Sequence, residues 1–230
     1  MDRISSSPLR TSPVVYCYWP PTGVDQLYEL LRGIIYEPYT PSIVMARSRP
    51  LNRHSQTKSD NTAGDLMIRA LTIDDLDTFI QIREDSLRID PRSFGADSNK
   101  PIDRARTAKH MRKKNDEDFI LAYFEENEIV GMVGFLRESG QKFRHKGHVW
   151  GVFVYPDHRR KGIANQLMLT LIDKARKIEG LQKINLSANL TSVASMELYS
   201  KLGFKAYGTE RNAAQYEGES LDEVYMDLQL

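Results

Sequence analysis

Apolar residues recur at two distinct spacings from residue 67 onward. After Gly162 they return every three or four positions, which predicts a helix with one buried stripe and a C-terminal end marked by Gly180. The stripe consists of Ile163, Ala164, Leu167, Met168, Leu171, Ile172, Ala175 and Ile178. The pattern therefore predicts an amphipathic helix that packs against a core.

Short apolar runs predict the strands of the same domain. Residues 119–124 and 128–136 are joined by a hairpin-like turn, and residues 148–155 form the strand that leads toward Gly162. Further strands are predicted over residues 67–71, 184–189, 205–209 and 221–228. With a helix capped at Thr72 that ends near residue 87 and a more polar helix over residues 102–113, these strands predict a compact domain of mixed helices and strands.

The first 66 residues have a different composition. They hold seven of the ten prolines, and residues 48–65 are polar and charged like a linker. Only residues 24–35 have helical periodicity. Three interpretations stay open for the extension: a disordered leader, a small helix docked on the main domain, or a segment irrelevant to the chemistry. We expect a largely disordered extension over 1–66 with one short helix, followed by a folded domain over 67–230.

Overall charge and cysteine content exclude some classes of protein. A formal net charge of +1 argues against a dedicated nucleic-acid or membrane-surface binder, which would be strongly basic. Cys17 is the only cysteine, so an intramolecular disulfide cannot form, and no apolar run approaches the roughly 20 residues that span a bilayer. We expect a soluble cytoplasmic protein, monomeric or homodimeric, with no nucleic-acid or membrane partner.

A basic turn precedes the clearest helix. The strand over residues 148–155 breaks at Pro156, and the chain then runs through Asp157, His158, Arg159, Arg160, Lys161 and Gly162 into Ile163 and Ala164. The N–H groups in the first turn of a helix have no intrahelical partner and favour an anion, so the turn is a candidate phosphate site. The alternative is a solvated basic turn. Neither G-x-x-x-x-G-K-[ST] nor G-x-G-x-x-G is present, which disfavours the usual nucleotide sites.

A second motif follows about one strand later. The strand that ends at Asn189 leads through Ser192 to a short helix that closes with Leu198-Tyr199-Ser200-Lys201-Leu202-Gly203-Phe204. With both motifs present, the chain resembles the GNAT superfamily of acetyl-CoA-dependent N-acetyltransferases. Residues 159–164 fit that family's [QR]-x-x-G-x-[GA] signature, and residues 198–204 resemble its L-Y-x-x-x-G-F close. The resemblance implies an α+β GNAT fold over 67–230, with a central, mostly antiparallel, twisted sheet flanked by about four helices.

The resemblance also implies a chemistry: transfer of the acetyl group of acetyl-CoA to a primary amine, without a metal and without a covalent enzyme intermediate. The pyrophosphate of the cosubstrate would lie on the backbone N–H groups of Arg159, Arg160, Lys161, Gly162, Ile163 and Ala164. The pantetheine arm would pair with backbone groups of Phe153 and Val154, and an N–H near Val154 would face the thioester oxygen. Tyr199 matches the family tyrosine that protonates the departing thiolate; otherwise it would only pack the helix on the sheet.

Two departures from the family pattern affect the cosubstrate site. Many members carry asparagine where this chain has Ser192, and Ser195 stands where a small alanine is usual. Ser192 is still expected to cap its helix and to contact the pantetheine amide. Asn189 is the residue expected to supply the missing amide, with an ordinary turn role as the alternative.

The general base is not evident, because residues 150–154 contain no acidic side chain. His145, His148 and Glu84 are the remaining candidates. The alternatives are that the two histidines are solvated and that Glu84 pairs with Arg88 at helical spacing. A missing base favours an amine of low pKa or deprotonation through water. The acceptor site is expected between the first helix, residues 88–100 and residues 211–220, and small amines, amino acids, antibiotics and protein N-termini stay open as acceptors.

The sequence leaves two other functions open. A non-catalytic acyl-CoA sensor would keep the basic turn but not need Tyr199. A nucleic-acid binder would use residues 142–146 and 159–161, but it would lack interleaved aromatic residues and net basic charge.

Overall fold

A computed structural model describes residues 68–96 and 99–230. The predicted extension and its helix over residues 24–35 lie outside the described residues. The described strands are β1 (Ile68–Ala70), β2 (Asp118–Glu125), β3 (Glu128–Arg137), β4 (Lys146–Val154), β5 (Lys183–Asn189), β6 (Lys205–Tyr216) and β7 (Glu219–Gln229). The helices are α1 (Leu76–Ile89), α2 (Arg104–Met111), α3 (Ile163–Ala175) and α4 (Val193–Lys201).

The strands form one seven-stranded sheet in the order β1-β2-β3-β4-β5-β7-β6. All neighbouring pairs are antiparallel except β4 and β5, which are parallel. A parallel pair needs a crossover, and α3 supplies it by joining the end of β4 to the start of β5. The predicted fold, a mostly antiparallel sheet flanked by four helices, is confirmed.

The two faces of the sheet carry separate apolar clusters. On one face, an apolar cluster packs strands β2, β3, β4, β5 and β7 against α3 and against Tyr199 of α4. On the other face, a second cluster packs β2, β3 and β4 against α1 and α2. On β4, Val149 and Val154 face the α3 side, whereas Trp150 and Phe153 face the α1 side. The helices therefore cover both faces of the central strands.

Local sequence signals explain most element boundaries. Thr72 and Asp75 form a reciprocal capping box just before α1, and the Asp75 carboxylate also pairs with Arg69 at 2.7 Å. The β2–β3 hairpin turns at Glu126 and Asn127, which both have positive φ as a two-residue hairpin turn requires. Gly203, with φ of 92°, ends α4, and the Phe204 N–H donates to the Tyr199 carbonyl at 3.0 Å.

Some predicted boundaries are wrong. The segment 211–220, which lies outside the predicted strands 205–209 and 221–228, belongs to the β6–β7 hairpin, which turns at Glu217 and Gly218. Residues in β6 are almost all exposed on both faces, so they lack the apolar alternation that predicts a strand. Helix α3 ends at Ala175, so Gly180 lies in the following turn and does not cap it.

An irregularity in β4 matters for the site. Pairing with β3 joins Met132 to Phe153 but Gly134 to Trp150, so β4 carries one extra residue in this stretch. Gly151 lies in the bulge with φ of 64°, a value that favours glycine. The extra residue brings Trp150 and Phe153, three positions apart, onto the same face of the sheet.

Two negative findings apply to the described part of the chain. None of its helices is both long and apolar enough to cross a lipid bilayer. It also contains no group of three or more His, Cys, Asp and Glu side chains placed to hold a metal ion.

Candidate active site

The parallel strands β4 and β5 separate in the middle of the sheet. Their register stops after His148 and Asn185, whereas β4 continues beside β3 to Val154 and β5 continues beside β7 to Asn189. Residues 149–154 of β4 and 186–189 of β5 therefore face each other without pairing. We call this opening the notch.

The backbone of Val154 faces the notch. The Tyr155 N–H donates to the Val130 carbonyl of β3 at 3.0 Å, and polar groups alternate in direction along an antiparallel strand. Val154 therefore turns its N–H and C=O away from β3, toward the gap. Phe153 has the opposite backbone direction, and its side chain packs edge-on against the Tyr155 ring with centroids 5.2 Å apart.

Free backbone N–H groups converge where the basic turn meets α3. Arg160 and Gly162 have positive φ of 62° and 82°, and the first hydrogen bond of the helix runs from the Gln166 N–H to the Gly162 carbonyl at 3.0 Å. The N–H groups of residues 162–165 donate to no other described residue. Left-handed residues in such a turn make an anion-binding concavity that adds to the partial positive charge of the helix end.

The three basic side chains of this turn have different surroundings. Arg159 points back into the protein, donating to the Val154 carbonyl at 2.8 Å and to Asp90 at 2.6 Å. Lys161 is exposed and lies 3.7 Å from the Glu125 carboxylate. Arg160 is exposed. Arg159 therefore ties the turn to the end of α1, and the other two leave their charge at the surface.

Tyr199 is buried in α4 beside Phe204, with ring centroids 6.0 Å apart. Burial raises the pKa of the Tyr199 phenol, so it stays protonated at neutral pH. The Tyr199 hydroxyl has no hydrogen-bond partner among the described residues. Within those residues, Asn185 Oδ1 is the one side-chain nitrogen or oxygen that lacks both a partner and contact with solvent, so the Tyr199 hydroxyl is not sealed. The ring of Tyr199 is therefore packed while its hydroxyl reaches solvent.

The side chain of Asn189 is occupied within the protein. Its Nδ2 donates to the Arg92 carbonyl at 3.0 Å, and its Oδ1 accepts from both the N–H and the hydroxyl of Thr191 at 2.8 Å. The structure thus shows the turn role, and a contact with the cosubstrate stays a prediction. Ser192 begins α4 but makes no side-chain cap, contrary to expectation.

The three candidate bases lie in different settings. His148 bonds Glu138 through Nε2 at 2.8 Å, and Glu84 accepts from the Ile102 N–H at 3.1 Å. The expected pairing of Glu84 with Arg88 is wrong, since Arg88 pairs with Asp85. The carbonyl of His145 accepts from the N–H groups of Gln182 and of Lys183, the first residue of β5. His148 is the one that stands where the notch begins, as the last β4 residue paired with β5.

The contacts that hold the end of α1 over the notch have no signal in the sequence. Tyr155 donates its hydroxyl to Asp85 of α1 at 2.8 Å, and burial together with this bond raises the pKa of the Tyr155 phenol. Arg92, in the turn after α1, pairs with Glu219 of β7 at 2.7 Å and is also held by Asn189. These partners are far apart in sequence, so no local pattern indicates them.

Arg83, which is 8% exposed on the inner side of α1, was not among the predicted site residues. The residue occupies a position of the apolar stripe that also contains Leu76, Phe79 and Leu87. A charged residue at such a position was the available signal.

Comparison with known proteins agrees with this geometry. The family model described as acetyltransferase (GNAT) family matches residues 79–204. Human N-acetyltransferase 8 is 36% identical over 84 residues, which cover 36% of this chain and 37% of the relative's length. The match thus spans well under half of either protein.

Two solved structures share the fold. An acetyltransferase of the GNAT family from Streptococcus pneumoniae superposes with a TM-score of 0.65 at 21% identity, over 71% of this chain and 98% of that one. A Salmonella typhimurium protein solved with its cofactor acetyl-CoA superposes with a TM-score of 0.60 at 23% identity, over 70% and 92% of the two chains. The family match covers more than half of the sequence and both motifs, so this chain belongs to the acetyltransferase (GNAT) family.

Proposed function

We propose that this protein transfers the acetyl group of acetyl-CoA to a primary amine. The notch carries the proposal, because residues 149–154 of β4 have no strand partner on the β5 side and lead to the free N–H groups at the start of α3. An extended arm with a pyrophosphate at one end matches both features. The localisation, the oligomeric state, the domain division and the absence of nucleic-acid and membrane partners stay predictions.

The proposed cosubstrate site runs from the basic turn into the notch. Backbone groups of Arg160, Lys161, Gly162, Ile163 and Ala164 would hold the pyrophosphate, with the exposed side chains of Arg160 and Lys161 adding positive charge. Arg159 would act by fixing the turn through Asp90. Val154 would pair with the pantetheine arm, and Phe153 would shape the wall on the α1 side.

The proposed chemistry needs no metal. The amine nitrogen attacks the thioester carbon, and the Val154 N–H donates to the oxygen on which negative charge develops. As the carbon–sulfur bond breaks, Tyr199 gives its phenolic proton to the leaving thiolate and regains one from solvent. The excess proton on the acceptor nitrogen leaves to water or to His148. A raised phenol pKa keeps Tyr199 in the proton-carrying form required of an acid.

The test is release of free thiol from acetyl-CoA across a panel of primary amines, with Tyr199→Phe as the variant. Phenylalanine keeps the ring contact with Phe204, so we expect an acetyl-CoA dissociation constant within about threefold of the wild type and a kcat lower by about 100-fold or more. Tyr207→Phe is the matched control, because Tyr207 is 55% exposed and its ring centroid lies 6.2 Å from that of Tyr225 on β7.

Two results would contradict the proposal. Equal loss of binding and turnover in Tyr199→Phe would show a packing role for that residue. Tight binding of acetyl-CoA with no turnover on any amine would replace the enzyme by an acyl-CoA sensor.

A further inference from the structure

Arg83 is the buried charge that the proposed mechanism does not use. Its side chain lies on the inner side of α1, with the guanidinium carbon 5.0 Å from the centre of the Phe94 ring and 6.0 Å from that of Trp150. The hydroxyl of Ser86 lies 3.5 Å from Nη1, at the outer limit of a hydrogen bond. Burial lowers the pKa of the Arg83 guanidinium to about 10, so it remains charged at neutral pH.

No carboxylate neutralises this charge within the described residues. Other arginines of the domain have acidic partners, including Arg69, Arg104 and Arg137, which pair with Asp75, Asp77 and Glu117. Arg83 has only a hydroxyl and the faces of two aromatic rings. A buried cation is normally paired, so an unpaired one that is 8% exposed indicates that its partner is not among the described residues.

The guanidinium is buried but not sealed. Apart from Asn185 Oδ1, no side-chain nitrogen or oxygen in the described part of the chain is both cut off from solvent and without a partner. The Arg83 nitrogens that lack a bond therefore touch solvent-accessible space. A planar group with several N–H donors beside two aromatic rings matches the geometry of a carboxylate.

Arg83 also lies beside the notch. Its Nη1 is 3.9 Å from the point where a side chain at Gly151 would begin, in the bulge of β4 three residues before Val154. The Arg83 nitrogens without a bond reach solvent on the α1 side of the sheet, so an acceptor that binds them would approach the acetyl group from that side. That approach passes Trp150 and Arg83.

We propose that Arg83 binds the carboxylate of the acceptor, which makes the acceptor a small primary amine that also carries a carboxylate, such as an α-amino acid. This inference rests on the proposed function, because it assigns the acceptor of that reaction. The amine nitrogen would lie toward the notch and the carboxylate between the Phe94 and Trp150 rings. A protein N-terminus would not satisfy Arg83 in this way, since its α-carboxyl group is part of a peptide bond.

The test compares amines that differ only in that carboxylate. The full-length protein is assayed by thiol release with the L-amino acids, their α-amides and their decarboxylated amines, and binding of each compound is measured by calorimetry in the presence of CoA. We expect the acids to exceed their amides in kcat/KM by about 100-fold, the effect of losing a charge-assisted hydrogen-bond pair.

Arg83→Met removes the charge but keeps an apolar side chain of similar length. We expect kcat/KM for the acids to fall about 100-fold, mainly through KM, with changes under threefold for the amides and for acetyl-CoA affinity. The kcat/KM of Arg83→Lys for the acids should lie between the values of the wild type and Arg83→Met, because lysine keeps the charge but not the planar guanidinium. Arg104→Met is the matched control, because Arg104 is an exposed arginine paired with Asp77, and all its constants should stay at wild-type values.

The outcomes separate this inference from the proposed function. Acids that bind in an Arg83-dependent way without thiol release would support a carboxylate site at Arg83 but overturn the transferase, and with it the assignment of the acceptor. Turnover of acids and amides at equal rates by the wild type would overturn the inference and leave the transferase standing, whether or not the Arg83 variants fold. Equal loss on acids and amides in a folded Arg83→Met variant would show a structural role and overturn it too. Binding of neither class would also overturn it.

Discussion

Gly162 allows the sharpest test of the basic turn, because its alanine variant changes only the backbone preference. A Cβ at this position would lie 3.9 Å from Gln166 Nε2, which is ordinary van der Waals contact, so Gly162→Ala causes no clash. The glycine has φ of 82° and ψ of 3°, the left-handed conformation that other residues rarely adopt. The effect of the substitution is therefore the cost of holding alanine in that conformation.

The magnitude follows from two opposing contributions. An L-residue in the left-handed region costs about 1–2 kcal/mol, and replacing glycine recovers about 0.4–1 kcal/mol by restricting the unfolded chain. We expect a net loss of about 1 kcal/mol in the free energy of unfolding, or about 2–4 °C in melting temperature. The exposed turn can relieve this strain by rotating, and acetyl-CoA must then restore the original backbone. If restoring the backbone costs about 1.4 kcal/mol, the dissociation constant for acetyl-CoA rises about tenfold.

Gly218→Ala is a matched control for this prediction. Gly218 also has φ of 82°, with no atom within 4 Å of its virtual Cβ, but it lies in the β6–β7 turn. Circular dichroism melting and calorimetric titration with acetyl-CoA should show the same loss of stability in both variants and a loss of affinity in Gly162→Ala alone. Wild-type affinity in Gly162→Ala, or equal affinity loss in both, would refute the assignment of the turn as the pyrophosphate site.

Three further perturbations test the framework around the site. Gly134→Ala would place a Cβ 2.1 Å from the Trp150 ring, so we expect the free energy of unfolding, measured in urea, to fall by about 1–3 kcal/mol. An unchanged urea midpoint would contradict the packing of Trp150 against Gly134. Asn189→Ala removes three hydrogen bonds, including the one that holds the turn after α1 at Arg92. We expect the KM for the acceptor to rise several-fold, because that turn is then less well positioned. An unchanged KM would contradict a role for this hydrogen bond in acceptor binding. Asp75 has its carboxyl pKa lowered chiefly by a hydrogen bond from Arg69, so its stabilisation is present above about pH 4 and lost on acidification. The stability difference between wild type and Asp75→Asn should therefore narrow from pH 7 to pH 3 in denaturant titrations.

Local patterns predicted the parts of the molecule whose causes are local. The apolar stripe after Gly162 predicted α3, and the capping box at Thr72 predicted where the first helix begins. Tyr199 was found through its motif and not through its setting, because nothing near it in sequence indicates that its ring is buried and its hydroxyl open. The motif thus predicted a residue that periodicity would assign only to packing.

Other features depend on contacts between distant segments and could not be predicted in this way. The β6–β7 hairpin extends through residues that are exposed on both faces, so hydrophobic spacing gives no strand signal there. The tie from Asn189 to Arg92 spans 97 positions. Arg83 shows the intermediate case: its place in an apolar stripe is visible in sequence, whereas its lack of an acidic partner is visible only after folding.

The bulge at Gly151 has a consequence for how this strand tolerates changes in length. In a regular strand, residues three apart face opposite sides, yet Trp150 and Phe153 share one side because of the extra residue. Deleting Gly151 would leave Trp150 and Phe153 two positions apart, and residues two apart in a regular strand face the same side. Both rings would therefore stay in the layer that carries α1. The bulge is thus a point where β4 can lose one residue without exchanging its two faces, whereas a deletion in a regular strand would move every residue beyond it to the opposite side.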